Sequence, residues 1–104
     1  MKKRIFGMLV ISVFIWSCSK TNTSPSYTPD CTGAAKSFSS DVRPLIQSSC
    51  SGCHSNFSGY SQISGSKASI RSRIVSGSMP QGGSLSDAQK NIIVCWIDNG
   101  APNN

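Results

Sequence analysis

The chain has 104 residues, with ten Lys and Arg against four Asp and Glu and a formal net charge of +6. No internal repeat or second domain is visible in it. With Lys2, Lys3 and Arg4 set aside the net charge is +3, and no basic stripe or basic-aromatic patch remains, which speaks against a nucleic-acid partner.

Met1-Lys2-Lys3-Arg4 followed by the apolar run from Ile5 to Trp16 has the layout of a bacterial export signal, and the run is too short to span a bilayer comfortably. It ends in Ile15-Trp16-Ser17-Cys18, which resembles the lipobox of bacterial lipoproteins. On that reading residues 1–17 are a signal peptide and Cys18 is the lipidated first residue of the mature chain. An ordinary secretory signal cut nearby, with Cys18 left over, is the alternative. Either way the remainder is expected to be extracytoplasmic, in the periplasm. With the lipid it is anchored to the inner or outer membrane. Residues 18–30 continue as a polar, proline-bearing stretch with too little apolar surface to fold, expected to be a tether. The domain proper is then 31–104, at the lower margin for a self-sufficient core.

Within it Phe38, Val42, Leu45 and Ile46 recur at helical spacing. Ser39 or Ser40 can cap this helix, Asp41 favours its positive end, and Pro44 is tolerated if it lies in the first turn. The helix runs into Cys50-Ser51-Gly52-Cys53-His54. A loop follows, in which Phe57 and Tyr60 offer two rings to cover the edge of a cofactor. A second helix is expected from about Ser66 to Ser76, with Ile70 and Ile74 on one face and Gly77 as its stop. The last helix carries the clearest signals. Ser86-Asp87-Ala88-Gln89 is a capping box, Ala88, Ile92, Ile93, Trp96 and Ile97 form an apolar stripe, and Asn99-Gly100 with Pro102 ends it. The expected fold is all-α, with three or so short helices and long loops around one covalent cofactor.

That cofactor is named by the C-x-x-C-H pattern. Two thiols one turn apart can form thioethers to the two vinyl groups of one haem, and the adjacent imidazole of His54 then ligates the iron. Three other chemistries use paired cysteines. A closed zinc site needs four ligands, and His54 is the single histidine here with no second Cys/His pair. A redox C-x-x-C follows a strand and opens a helix, whereas a helix precedes this one. A structural Cys50–Cys53 disulfide is the third. Met79-Pro80 lies 25 residues after His54 in a glycine-bearing loop, and Met79 is the one methionine beyond the signal. Its soft sulfur suits the second axial position of low-spin iron, and core packing is the plainer role.

These residues resemble the small class I cytochromes c found as single-haem domains of bacterial envelope lipoproteins. The resemblance is carried by Phe38-x-x-Asp41-Val42-x-Pro44, Cys50-x-x-Cys53-His54, Met79-Pro80, Leu85-Ser86-Asp87, and Ile93-x-x-Trp96-Ile97-Asp98-x-Gly100-Ala101-Pro102. It implies a haem clamped between the N- and C-terminal helices, His54 and Met79 as iron ligands, and electron transfer as the activity. The interval between His54 and Met79 is shorter than in larger relatives, which implies a more exposed haem edge.

Trp96 belongs with the core rather than with an electron path. Arg71 and Arg73 either pair with a haem propionate or form a solvated helix face. Cys31 and Cys95 remain once lipid and haem have claimed the other cysteines; they pair in an oxidising compartment, or stay as two thiols with Cys95 buried beside Trp96. The function expected is single-electron transfer with redox proteins of the cell envelope as donors and acceptors, and no catalytic residue is assigned. Two rivals stand: a haem-based ligand sensor or weak peroxidase with a labile sixth ligand, and a non-redox interaction module of an envelope complex.

Overall fold

The computed structural model describes residues 26–104, and every regular element among them is helical. The expected signal peptide, Cys18 and most of the tether lie outside the described residues. A π-helical turn, Phe38–Val42, runs directly into α1, Arg43–Ser49; α2 spans Tyr60–Gly65, α3 Lys67–Ser76 and α4 Asp87–Asp98. None of these helices is long and apolar enough to cross a membrane.

The first helical run starts differently from expectation. Its cap is Ser37, not Ser39 or Ser40: the Ser37 hydroxyl accepts from the Ser40 N–H at 3.3 Å, and Asp41 Oδ2 accepts from the Ser37 N–H at 2.8 Å. Pro44 therefore sits past the first turn of the run. In a continuous α-helix its ring would press on the Ser40 carbonyl. The widened turn relieves this: the Val42 N–H reaches back five residues to the Ser37 carbonyl at 3.1 Å, and the Arg43 N–H to that of Phe38. Pro44 then occupies the start of α1, where no N–H is required.

Helix α4 follows its sequence signals closely. Ser86 Oγ accepts from the Gln89 N–H at 3.2 Å while Gln89 Oε1 accepts from the Ser86 N–H at 2.9 Å, completing the capping box. At the other end Gly100, at φ 94, and Ala101 return their N–H groups to the carbonyls of Ile97 and Trp96, a Schellman motif. The stripe is shifted from expectation. Ala88 is exposed and Val94 is fully buried, because α4 is packed by α3 and by the Phe38–Val42 turn and so buries two sides.

Helix α2 is an element that the sequence reading leaves in a loop. It forms because Ile63 is fully buried and Tyr60 enters the core. The Tyr60 ring meets Phe38 edge-on at 5.3 Å and Trp96 at 6.3 Å, and Phe38 and Trp96 lie 5.6 Å apart. These three rings join the N-terminal helix, α2 and α4. The tail closes over them: Tyr60 donates to the Ala101 carbonyl (2.7 Å), the Trp96 indole donates to that of Pro102 (2.9 Å), and Asn104 accepts from the N–H groups of Phe38 and Ser39 (2.8 Å each).

The outer face of α4 receives the segment before residue 31. Tyr27 donates to Asn91 Oδ1 at 2.6 Å, the Asp30 N–H shares that acceptor at 3.1 Å, and the Lys90 ammonium stands 4.8 Å from the Tyr27 ring centroid. Packing thus begins at Tyr27, inside the stretch expected to be tether. Next to it Cys31 and Cys95 lie at disulfide distance, with Cα atoms 5.3 Å apart, the first of the two alternatives for this pair.

Candidate functional site

A cavity of about 360 Å³ opens beside the core, and neither Cys31 nor Cys95 lines it. It is of cofactor-binding size. Four segments wall it: the end of α1, the turn from Cys50 to Phe57, one face of α3, and the chain from Met79 to Leu85.

The cysteine-histidine turn is an extension of α1. The Cys50 N–H donates to the Ile46 carbonyl at 2.9 Å and ends the helix; one further turn forms as Cys53 (3.1 Å) and His54 (2.8 Å) both donate to the Cys50 carbonyl. All three functional side chains of the motif line the cavity. The His54 ring is stacked on Phe57 at 4.9 Å and 16°, and the Phe57 N–H donates to the His54 carbonyl at 3.0 Å, so the imidazole has a flat apolar support. Cys50 and Cys53 are not bonded to each other; Cys50 is half-buried and Cys53 exposed. Burial pushes the Cys50 thiol above its ordinary pKa.

Met79 enters from the end of α3. Gly77, at φ 77, stops that helix in the left-handed conformation that glycine adopts at least cost. The chain then turns back, and the Met79 N–H donates to the Arg73 carbonyl at 3.3 Å. This places the half-buried Met79 on the same cavity as His54. Apolar walls are supplied by Ile46, Phe57, Ile70, Ile74 and Leu85.

Several sequence-derived roles are redistributed. Phe57 covers the site as expected, whereas Tyr60 belongs to the aromatic cluster. Trp96 is fully buried in that cluster and does not line the cavity. Arg71 is held by Asp98 in a two-pronged pair, Nε to Oδ1 at 2.6 Å and a terminal nitrogen to Oδ2 at 3.0 Å. Arg73 lines the cavity. Ser66 and Ser69 also line the cavity, and their helical spacing from Ile70 and Arg73 is the sequence signal that marks them. Comparison of the chain with protein-family models, curated proteins and solved structures returns no match.

Proposed function

We propose that this chain is a monohaem c-type cytochrome that carries single electrons at the extracytoplasmic face of a bacterial membrane. The observation that carries this reading is that Cys50, Cys53, His54 and Met79, from segments 25 residues apart, line one largely apolar cavity. Three features of the chain suit the haem. Two unpaired thiols stand one turn apart at the cavity wall, where thioethers to two vinyl groups can form. An imidazole and a soft thioether border the same space, a donor pair suited to low-spin iron. Cys50, Cys53 and His54 do not converge as a chelate: among the described residues no three His, Cys, Asp or Glu side chains gather around one point. Donors spread in this way suit a macrocycle better than a zinc ion.

When bound, the haem iron supplies a one-electron couple. The chain's own residues do the rest. Phe57 fixes the plane of the His54 ring, the Arg73 carbonyl holds the Met79 backbone, and Ile46, Ile74 and Leu85, all buried, keep water from the interior wall. Exposed Cys53 marks the rim at which redox proteins of the envelope approach. Cys18 carries the lipid, and the residues between it and Tyr27 link it to the domain.

Protein expressed with haem-maturation machinery should stay coloured through acid-acetone extraction and denaturing electrophoresis, and Cys50→Ala/Cys53→Ala should not. Met79→Ala should lose the sulfur-to-iron charge-transfer band and fall in midpoint potential, since a soft donor favouring ferrous iron is gone. Release of the haem on denaturation would end the c-type assignment. Rapid, complete carbon monoxide binding by the reduced protein at neutral pH would favour a ligand sensor instead.

A further inference from the structure

Helix α3 and the residue before it turn a single stripe toward the cavity: Ser66, Ser69, Ile70, Arg73 and Ile74, spaced as one helical face. At 3.6 residues per turn, Ser69, Arg73 and Ser66 fall on one edge of that face and Ile70 and Ile74 on the other. The cavity wall is therefore apolar on one side and cationic with hydroxyls on the other. Such a wall suits an occupant with an apolar body and an anionic edge. The polar edge continues outward into a groove where Ser69 and Arg73 are joined by Ser72, Ser76 and Ser78.

Arg73 is the one Lys, Arg, Asp or Glu that lines the cavity. No acid neutralises it. The ion pairs among the described residues are Arg71 with Asp98 and Lys90 with Asp87, and the whole stretch 42–86, which supplies every cavity wall, contains no Asp or Glu. The two arginines of α3 are thus separated by the fold: Arg71 ties α3 to α4, while Arg73, exposed and without an acidic partner among the described residues, is the cationic residue on the cavity lining.

We propose that Arg73 is the anion-binding residue of the cavity and pairs with a propionate carboxylate of the haem, with the Ser69 hydroxyl beside it. This rests on the c-type haem reading above. A guanidinium presents a fork of donors matched to a carboxylate, and its charge beside the cofactor favours the reduced over the oxidised state. Arg73 is in this sense a positioning and potential-setting residue, not a catalytic one.

The test is the redox equilibrium of haem-loaded protein against a reference dye, after haem stain and visible spectrum have shown the cofactor in place. R73Q should shift the equilibrium by roughly three- to tenfold toward the oxidised form, the order of effect of one charge lost near a partly buried centre. R73K, which keeps the charge, should stay within about twofold of wild type, and R71Q should leave the equilibrium unchanged because its partner is Asp98. Full haem loading of R73Q with an unchanged potential, or an equal shift in R71Q, would overturn the assignment of Arg73 and leave the cytochrome reading standing. If R73Q does not accumulate, a haem-loaded R73K with a near-native potential supports the pairing, and loss of haem from both variants overturns it in favour of a folding role. A wild-type protein without covalent haem would remove the cytochrome reading itself.

Discussion

Helices α3 and α4 pack against each other, yet they hold their places by different means. Helix α4 has a complete capping box, a Schellman end, three buried side chains, a disulfide to Cys31 and a tail hydrogen-bonded over Trp96. Helix α3 has no side-chain cap, one buried residue, Ile74, and a half-buried Ile70 facing the cavity. One half of the molecule is closed by its own packing. The other is arranged around a space, and an occupant that covers the half-buried Ile70 would supply contacts that its own chain does not. Fold and site are therefore divided between two sets of residues.

The largest effect expected from this division follows loss of Trp96. Its ring is fully buried against Phe38 and Tyr60 and its indole holds the Pro102 carbonyl, so Trp96→Ala should cost about 3–5 kcal/mol, a large share of a small domain's stability. Ile70→Ala in haem-free protein should cost less than about 1 kcal/mol, since its side chain borders open space. Urea titrations followed by far-ultraviolet circular dichroism measure both. Equal costs would erase the distinction between the two halves.

Next comes the Cys31–Cys95 bridge, which closes a loop spanning 64 positions. Chain entropy alone gives such a bridge about 4 kcal/mol. On the proposed haem reading the measured loss for Cys31→Ser/Cys95→Ser in haem-loaded protein should be smaller, because thioethers at Cys50 and Cys53 would already restrict the unfolded chain. The variant should keep its haem and its visible spectrum while melting at lower temperature. A variant that melts normally but loses haem would place the bridge in the site half instead.

Removing the α4 cap sharpens the comparison on a smaller scale. Ser86→Ala leaves the Gln89 N–H without its acceptor and should cost about 1 kcal/mol. Because no such cap exists on α3, Ser66→Ala should change stability far less, and hydrogen exchange should show α3 opening before α4 in both variants.

Legibility in the sequence divides along the same line. Helix α4 was readable because its signals are local: Ser86 with Gln89, the apolar spacing, and the glycine after its end. The cysteine-histidine turn was readable for the same reason, and Cys31 with Cys95 followed from assigning the other three cysteines. What escaped depends on distant partners. Helix α2 holds one good helix former, Gln62, and folds because Tyr60 reaches Phe38, Trp96 and Ala101. The widened turn before Pro44 and the docking of Tyr27 on Asn91 have no local signature. Val94 was missed because a single stripe was expected where two elements cover α4. At the site the sequence names Cys50, Cys53, His54 and Met79, and the fold brings the four to one cavity, whereas the different surroundings of Arg71 and Arg73 needed the fold, since only the position of Asp98 distinguishes them.

The smallest effect belongs to that Arg71–Asp98 pair, the one ion pair among the described residues that joins the two halves. Hydrogen bonds from Arg71 hold the Asp98 carboxyl below the ordinary carboxylate value, and its charge adds to the same direction. A group whose folded pKa is depressed contributes stability that is fully present above its unfolded value, near 3.9 for Asp, and is lost as pH falls through the folded value. Wild-type protein should thus lose a small increment of stability below about pH 4 that Asp98→Asn and Arg71→Gln, having already lost it, do not show. Their side chains are 39% and 38% exposed, so solvent and salt screen the pair, and at neutral pH in about 1 M salt the variants and wild type should melt together. A difference that survives high salt would mean that Arg71 joins α3 to α4 through packing of its aliphatic stem, and that the two halves are more strongly coupled than their separate means of support suggest.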